Sequence, residues 1–147
     1  MLGLVEQKVK EFEKSEKESF RNVFDEEGNL TTLGKRKYRE FCGVYIIYEG
    51  RNIIYIGKSG GGAYRIADLA YQKNDKFKHT LSQKIIKFKS FRNINEVMNF
   101  YREKCFLKVI KTGSDMDAEI VESIFIKLFR PKYNKELKPN LEKFINE

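Results

Sequence analysis

The sequence predicts an α+β fold with a small three-stranded antiparallel sheet flanked by helices. Residues 43–48 and 53–57 are rich in β-branched and aromatic side chains, and residues 49–52 between them are typical of a turn, which predicts a β-hairpin. A third, mostly apolar run covers residues 104–111, beyond two helical segments. Because the connections are too short for parallel crossovers, we expect the strands to pair antiparallel.

The residues ahead of the hairpin predict a helical extension. Residues 4–24 place apolar side chains at roughly helical spacing among charged ones, which is typical of an amphipathic helix. The turn-forming residues 25–28 end this helix. Residues 30–41 are basic and predict a short helix that leads into the first strand.

The register of the hairpin follows if Tyr45 and Tyr55 share one face. Directly opposed residues lie on the same face, so the expected register pairs Tyr45 with Tyr55 and Gly43 with Gly57. The opposite face then carries Val44, Ile46, Tyr48, Ile54 and Ile56. One face of the hairpin would pack in a core, while the other would present the two tyrosine hydroxyls at the open end of the hairpin. The alternative is a core hairpin in which the tyrosines only pack.

Further helices are expected on both sides of the third strand. Residues 63–72 predict one helix, and a second helix begins at Thr80, which forms a capping-box pattern with Gln83. After the third strand, Ser114 opens a last helix that Pro131 ends.

The composition limits the class of protein. A chain of 147 residues is long enough for one domain with an extension. No run approaches the roughly 18 apolar residues that span a bilayer, and the first ten residues lack the apolar core of a signal peptide. Cys42 and Cys105 provide no metal or disulfide framework, so we expect reduced thiols and a cytoplasmic location.

The net charge of +8 is unevenly distributed. Residues 1–42 carry nine basic and nine acidic side chains, so the whole excess lies in residues 43–147. Residues 73–92 concentrate seven basic side chains against Asp75 alone. A basic stretch with interleaved phenylalanines is typical of a surface that binds a polyanion such as DNA. A solvated, lysine-rich helix face is the alternative.

Glu122 occupies an unusual position in the last predicted helix. On a helical wheel it falls between Phe129 and Ile126, inside the apolar arc. A glutamate is rarely buried unless it is paired or binds a metal, because burying an unpaired charge costs on the order of several kcal/mol. The alternative is a carboxylate at the edge of the arc that reaches solvent.

The spacing of these residues resembles the GIY-YIG nuclease family. The two motifs that name the family correspond here to Gly43-Val44-Tyr45 and Tyr55-Ile56-Gly57. Family members also carry an arginine after the second motif, a frequent histidine at the next helix, a glutamate on a later helix, and a proline, an aromatic and an asparagine beyond it. In this chain those positions hold Arg65, His79, Glu122, Pro131, Tyr133 and Asn134.

The resemblance covers residues 43–134, which are predicted to form a nuclease domain. Residues 1–42 then form an N-terminal helical extension that packs on the core, dimerises or contacts DNA. Residues 135–147 are predicted to be a C-terminal tail that packs on the domain. The resemblance implies a metal-dependent DNA endonuclease, with DNA as its partner, no membrane association and no small-molecule cofactor.

The resemblance also implies how phosphate and metal are held. Glu122 is expected to hold a single Mg²⁺, for which Mn²⁺ can substitute. Arg65 is expected to bind the phosphate with its planar guanidinium. The expected phosphate-binding lysines are Lys58, Lys73, Lys84 and Lys87. Taken alone, Arg65 could equally form an exposed ion pair with Asp68.

The remaining matched residues are expected to handle protons and orientation. Tyr45 takes the proton of the attacking water, directly or through His79, whose position at a helix start favours a neutral ring. Tyr55 and Asn134 orient the other groups. The structural alternatives are a capping or surface histidine and an asparagine in a turn.

Other functions fit parts of this pattern. A nucleic-acid-binding module of the same fold that does not cleave is expected to lack one of the matched residues, and here all are present. An unrelated small α+β protein would require the whole spacing to be accidental. Within the nuclease hypothesis, a stand-alone restriction, phage or mobile-element enzyme is favoured over a DNA repair or branched-DNA nuclease.

Overall fold

The computed structural model describes residues 2–61 and 63–137. The elements in chain order are α1 (Leu2–Lys14), β1 (Glu18–Ser19), α2 (Phe20–Val23), α3 (Thr32–Tyr38), β2 (Gly43–Glu49), β3 (Asn52–Ser59), α4 (Arg65–Asp68), β4 (Gln72–Lys73), β5 (Lys76–Phe77), α5 (Thr80–Phe88), α6 (Ile94–Lys104), β6 (Cys105–Lys111), α7 (Asp115–Phe129) and a 3-10 turn (Lys132–Leu137). Four of these strands form one antiparallel sheet in the order β1-β6-β2-β3, and β4 pairs with β5 separately. The predicted α+β class is confirmed, and β1 adds a two-residue strand to the three expected.

The hairpin of β2 and β3 has a different register from the one expected. Tyr45 lies opposite Gly57, and Tyr55 lies opposite Ile47. The turn consists of two residues, 50 and 51, and the pairing shifts by one residue between Ile47 and Tyr48. This shift is a β-bulge, because two steps along β3 match one step along β2. The two phenols still share a face as predicted, with ring centroids 6.1 Å apart.

The bulge also corrects the predicted apolar face. Ile54 is the extra residue of the bulge, and its side chain packs in the cluster on the tyrosine side of the sheet. The expectation that Ile54 faces the other way, together with Ile56, is therefore wrong. Val44, Ile46, Tyr48 and Ile56 do form the opposite face, where α7 packs on them.

Glycines allow the strands and the Tyr45 ring to come close. A Cβ atom on Gly57 would overlap the Cζ and Oη atoms of Tyr45, so the ring lies directly across the backbone of β3. Gly43 does not face Gly57. It lies opposite Ser59, and a Cβ there would overlap the carbonyl of Ile110.

The N-terminal segment packs on both faces of the sheet. Phe20, Val23 and Phe24 are fully buried in the cluster on the tyrosine side. Val9 and Phe12 of α1 pack against the opposite cluster. Of the three roles left open for residues 1–42, packing on the core is the one observed, while the domain boundary at residue 42 stays a prediction.

Several helices differ from the sequence pattern. The single helix expected over residues 4–24 is divided, because α1 ends at Lys14 and β1 pairs with β6 before α2 begins. The helix expected over residues 63–72 is a single turn, α4, after which the chain forms the β4–β5 hairpin. The helix α6 was not predicted, although Asn93 caps it by accepting the amide of Glu96 at 3.1 Å.

The last helix agrees with the prediction. Ser114 caps α7 by accepting the amide of Asp117, and Arg130 adopts a left-handed conformation just before Pro131. The described part of the tail extends only to residue 137, so the expected packing of residues 138–147 lies outside the described residues. In the described part of the chain, no helix is long and apolar enough to cross a membrane.

We expect Gly57→Ala to destabilise the fold by about 1–3 kcal/mol, because the new methyl group must displace the Tyr45 ring. The measurement is equilibrium urea unfolding. Gly113→Ala is the matched control, since a Cβ there meets nothing within 4 Å. Equal stability of the two variants would contradict the close packing of Tyr45 on Gly57.

Candidate active site

His79 caps α5 with its own side chain. Its Nδ1 atom accepts the amide hydrogen of Leu81 at 3.0 Å, so in the neutral ring the proton lies on Nε2. The Nε2–H group then donates to the Oη atom of Tyr45 at 2.7 Å. The expected capping box of Thr80 and Gln83 is wrong, because the imidazole takes the capping position.

Burial keeps the His79 ring neutral. The side chain is fully buried, and burial lowers its pKa to about 3, with the nearby Arg65 charge adding to the effect. The neutral ring agrees with the sequence prediction, but desolvation is the main cause and outweighs the helix dipole. Since Nε2 carries the hydrogen, it donates to Tyr45 and does not accept from it.

Tyr45 is the buried centre of the site. Its Oη atom accepts a hydrogen bond from Nε2–H of His79, and the guanidinium of Arg65 lies close enough to lower its pKa. Burial raises the pKa of Tyr45, the neighbouring Tyr55 raises it further, and Arg65 opposes both effects. The Tyr55 ring is partly exposed and meets the His79 ring edge-on, with centroids 5.4 Å apart.

Arg65 connects the phenol to a small ion-pair network. It is the first residue of α4, and its Nη1 atom lies 3.8 Å from Oδ2 of Asp68. Asp68 also lies 3.6 Å from the Nζ atom of Lys78. The ion pair with Asp68, considered as an alternative role for Arg65, therefore exists together with its contact to Tyr45.

Glu122 lies partly buried on α7, at the edge of the site. Burial raises its pKa, and Lys58 opposes this through its charge and through a backbone hydrogen bond. The Nζ atom of Lys58 lies 3.8 Å from the carboxylate of Glu119, one turn before Glu122. The charges of Arg65 and Glu122 also influence each other, and the charge of Glu122 acts on Tyr45, so the carboxylate lies within electrostatic reach of the phenol.

Asn134 binds backbone rather than the other site side chains. Its Oδ1 atom accepts the amide hydrogen of Ile56, and its Nδ2 atom donates to the carbonyl of the same residue, each at 2.9 Å. Ile56 lies on the outer strand of the sheet, between Tyr55 and Gly57. Asn134 therefore acts as a short strand partner that fixes the backbone under both motif residues.

The predicted phosphate-binding lysines occupy different surroundings. Lys73 is exposed on the β4–β5 hairpin, and Lys87 is exposed on α5. The Nζ atom of Lys84 is partly buried and donates to the carbonyl of Tyr133 at 2.7 Å, next to Asn134. Lys84 therefore also holds the segment that carries Asn134.

A buried relay that the sequence did not reveal joins the helices of the site. The Ser82 hydroxyl donates to the carbonyl of Leu69 at 2.6 Å and accepts from the Tyr101 hydroxyl at 2.6 Å. This links α6 and α5 to the residue that follows α4. The sequence analysis did not predict this hydrogen-bonded chain because it did not predict α6, which carries Tyr101. The capping pattern of Asn93 and Glu96 could have indicated that helix.

Comparisons with known proteins give relatives of one kind. No family model matches the chain. The UvrABC system protein C of Rickettsia felis and that of Rickettsia akari are each 29% identical over 100 residues, which is 67% of this chain. The chain spans only 13% and 12%, respectively, of the lengths of these relatives.

Two solved structures resemble the chain. The GIY-YIG N-terminal endonuclease domain of UvrC from Thermotoga maritima, bound to magnesium, is 25% identical and is covered to 98%, against 71% of this chain. A tyrosine-to-phenylalanine point mutant of that domain is 26% identical, with 97% and 71% covered. Both have a TM-score of 0.36, too low for the superposition itself to support an argument.

The predicted resemblance to the GIY-YIG nucleases is confirmed. The side chains of Tyr45, Tyr55, Arg65 and His79 meet around one phenol oxygen, with Glu122 within electrostatic reach. Asn134 stands behind them on the backbone of β3. The catalytic roles of these residues stay predictions.

We expect the folded chain to lose stability as the pH falls below about 6.5, the unfolded pKa of histidine. The folded pKa of His79 is lowered to about 3, so only the unfolded chain binds a proton between the two values. Stability is therefore complete above the unfolded pKa and declines toward the folded pKa, by about 1.4 kcal/mol per pH unit from this group.

The measurement is urea unfolding between about pH 7 and pH 5, with His79→Gln as the control that lacks this contribution. His79 is the single histidine of the chain, so its ring proton also gives one assignable NMR signal. Equal slopes for the two proteins, or a ring that titrates near its ordinary pKa, would contradict the buried neutral imidazole.

Proposed function

We propose that this chain is a metal-dependent DNA endonuclease that hydrolyses phosphodiester bonds with a single divalent cation. The observation that supports it is the buried Tyr45 oxygen, which accepts a hydrogen bond from His79 and lies within electrostatic reach of Arg65 and Glu122. Phosphodiester hydrolysis needs an activated water, charge stabilisation on the phosphate and help for the leaving oxygen. The site offers a group for each requirement.

Glu122 fits a magnesium site of few protein ligands. Its carboxylate is partly buried, and the rise in its pKa shows that nearby positive charge compensates its ionised form incompletely. Mg²⁺ binds through one or two carboxylates and keeps several waters. Among the described residues, no group of three or more acidic, His or Cys side chains could hold a metal ion. When bound, the cation supplies Lewis-acid polarisation of the phosphate and stabilises the leaving oxygen.

Tyr45 takes the proton of the attacking water at its Oη atom as the phenolate, after its own hydroxyl proton has passed to the solvent. A phenol is an ordinary acid with a pKa near 10, and burial makes its anion less favourable still. The Nε2–H of His79 donates to this oxygen, and the positive charge of Arg65 lies close to it, so both groups favour the phenolate. The direct route, without transfer to His79, follows from the hydrogen that Nε2 already carries.

Arg65 binds the phosphate while its position is held by Asp68. The guanidinium has five donors, so contacts to Tyr45 and Asp68 leave others for phosphate oxygens. Stabilising the charge that develops on the phosphate is the largest single contribution in many enzymes. Tyr55 and Asn134 keep the strand and the ring in place.

The biological role can be narrowed by the relatives. Those found are UvrABC system proteins, which favours a nuclease acting on repair or branched DNA. No comparison supports the expected restriction, phage or mobile-element role. The catalytically silent binding module is the alternative that the first experiment below separates.

We expect Glu122→Gln to abolish Mg²⁺-dependent plasmid cleavage while DNA binding stays within about twofold, because only the metal ligand is lost. The measurement is plasmid digestion with Mg²⁺ and with Mn²⁺, which we expect to substitute because it accepts the same oxygen ligands. Glu119→Gln is the matched control on the same helix, since its exposed carboxylate pairs with Lys58. Cleavage retained by Glu122→Gln would remove the metal assignment, and absence of cleavage by the unaltered chain would favour the silent module.

Lys58, Lys73, Lys84 and Lys87 are proposed to contact DNA phosphates. Each lost contact flattens the slope of log K against log salt by about 0.9 on duplex DNA. We expect replacement of Lys73 and Lys87 by Gln to reduce the slope by up to about 1.8. Binding should weaken equally for DNA of any sequence. These two lysines are exposed, whereas a change at Lys84 would also release Tyr133.

The measurement for the lysines is a salt titration with Ca²⁺ in place of Mg²⁺, so that cleavage does not interfere. Lys127→Gln on α7 is the control, because it removes one exposed charge from another helix. An unchanged slope for the double variant would place Lys73 and Lys87 away from DNA.

A further inference from the structure

A groove runs beside the catalytic site and shares one wall with it. The groove encloses about 840 Å³. One wall is α4 and its flanking residues Tyr64 and Tyr71, and the other is the N-terminal segment with Lys35 and Arg39 of the α3 region. The same short helix, α4, carries Arg65 into contact with Tyr45. A ligand in the groove therefore lies next to the residue proposed to bind the scissile phosphate.

The groove presents two exposed aromatic rings, each with a cation beside it. Tyr64 and Tyr71 are 45% and 54% exposed, although both are large rings. The guanidinium carbon of Arg39 lies 5.7 Å from the centroid of the Tyr64 ring. The Nζ atom of Lys78 lies 5.9 Å from the centroid of the Tyr71 ring. Each ring thus offers a stacking surface with positive charge at hand.

The charges of the lining favour an anion. Lys35, Arg39 and Lys78 contribute positive charge to the lining. Asp68 is shared between two cations, Arg65 and Lys78. Glu27 is the other acidic group of the lining, and it is exposed. The net potential along the groove is therefore positive.

Alternating aromatic rings and cations are the arrangement that holds unpaired nucleotides. Single-stranded nucleic acid is bound by bases that stack on aromatic side chains while a basic groove follows the backbone. In a duplex the faces of the bases are covered by their neighbours, so rings within a groove gain little from it. A volume of about 300–1,000 Å³ holds a ligand of moderate size, which here corresponds to one or two nucleotides.

We propose that the groove binds an unpaired DNA strand next to the scissile phosphate, with bases stacked on Tyr64 and Tyr71. The preferred substrate is then DNA with a single-stranded segment at the cleavage point, such as a flap, a fork or a bubble. This inference rests on the proposed nuclease function and adds the substrate class. The N-terminal segment, outside the part of the chain that carries the family motifs, supplies one wall of this binding surface.

The first test is fluorescence anisotropy with the full chain and Ca²⁺ in place of Mg²⁺. The probes are a labelled duplex with blunt ends and the same duplex with an oligothymidine extension. We expect the unaltered protein to prefer the extended duplex. The double variant Tyr64→Ala, Tyr71→Ala should lose about tenfold in affinity for the extension per stacked base, with binding of the blunt duplex unchanged.

Two control variants separate stacking from folding. Leu128→Ala removes an exposed apolar side chain on α7, which packs on the opposite face of the sheet, and should change neither affinity. Tyr64→Phe combined with Tyr71→Phe keeps both rings and should keep the preference. Retention of the preference in the alanine pair would overturn the proposal, as would equal affinities of the unaltered protein for the two probes.

A second test does not depend on the alanine variants. The chain contains no tryptophan, so Tyr64→Trp introduces a single indole in the groove. We expect oligothymidine to quench its fluorescence and the blunt duplex to leave it unchanged, while Leu128→Trp responds to neither. An unquenched indole at position 64 would overturn the proposal.

The nuclease function and the binding of an unpaired strand in the groove are tested by different measurements. Plasmid cleavage with Mg²⁺ tests the nuclease function and does not depend on groove binding. Cleavage without a preference for extended duplexes would contradict strand binding in the groove and would support the nuclease function. Base stacking in the groove without cleavage by the unaltered chain would support a nucleic-acid-binding site there and would contradict the nuclease function.

Discussion

The β-bulge at Ile54 is the constraint on which the site depends. The hairpin turn contains only residues 50 and 51, and that turn alone would place Tyr45 opposite Ile56, with the two phenols on opposite faces of the sheet. One extra residue in β3 shifts the pairing and returns Tyr55 to the face of Tyr45. The same shift places Gly57 under the Tyr45 ring, where a side chain would not fit. Bulges that redirect side chains are common next to active sites for this reason.

Burial creates the main electrostatic problem of the site, and hydrogen bonds partly solve it. The Tyr45 hydroxyl is inaccessible to solvent, which disfavours the anion that proton transfer needs. His79 stays neutral for the same reason, and its capping bond to Leu81 leaves its one N–H for Tyr45. Arg65 supplies the opposing positive charge, and it is itself held by Asp68. Both groups stabilise the phenolate, which is the form of Tyr45 that can accept a proton, and the hydrogen already on Nε2 keeps His79 from taking that proton.

The segment before the hairpin takes part in the architecture rather than standing apart from it. It adds β1 to the edge of the sheet and fully buried phenylalanines to the core on the tyrosine side. The α3 region then forms the wall of the groove that faces α4. The relay of Ser82, Tyr101 and Leu69 fixes the other side of the same region.

The sequence by itself determined the two motif strands, the capped final helix, the positions of the site residues and the family that they resemble. These features depend on local propensity and on spacing along the chain, which a single sequence carries. Tertiary structure decided the register, because an inserted residue changes the facing of side chains without altering composition. It also decided that His79 rather than Thr80 caps α5, since the imidazole needs the buried Tyr45 as its second partner. The binding of Asn134 to the backbone of Ile56 and the groove beside α4 join residues far apart in sequence, and only packing brings them together.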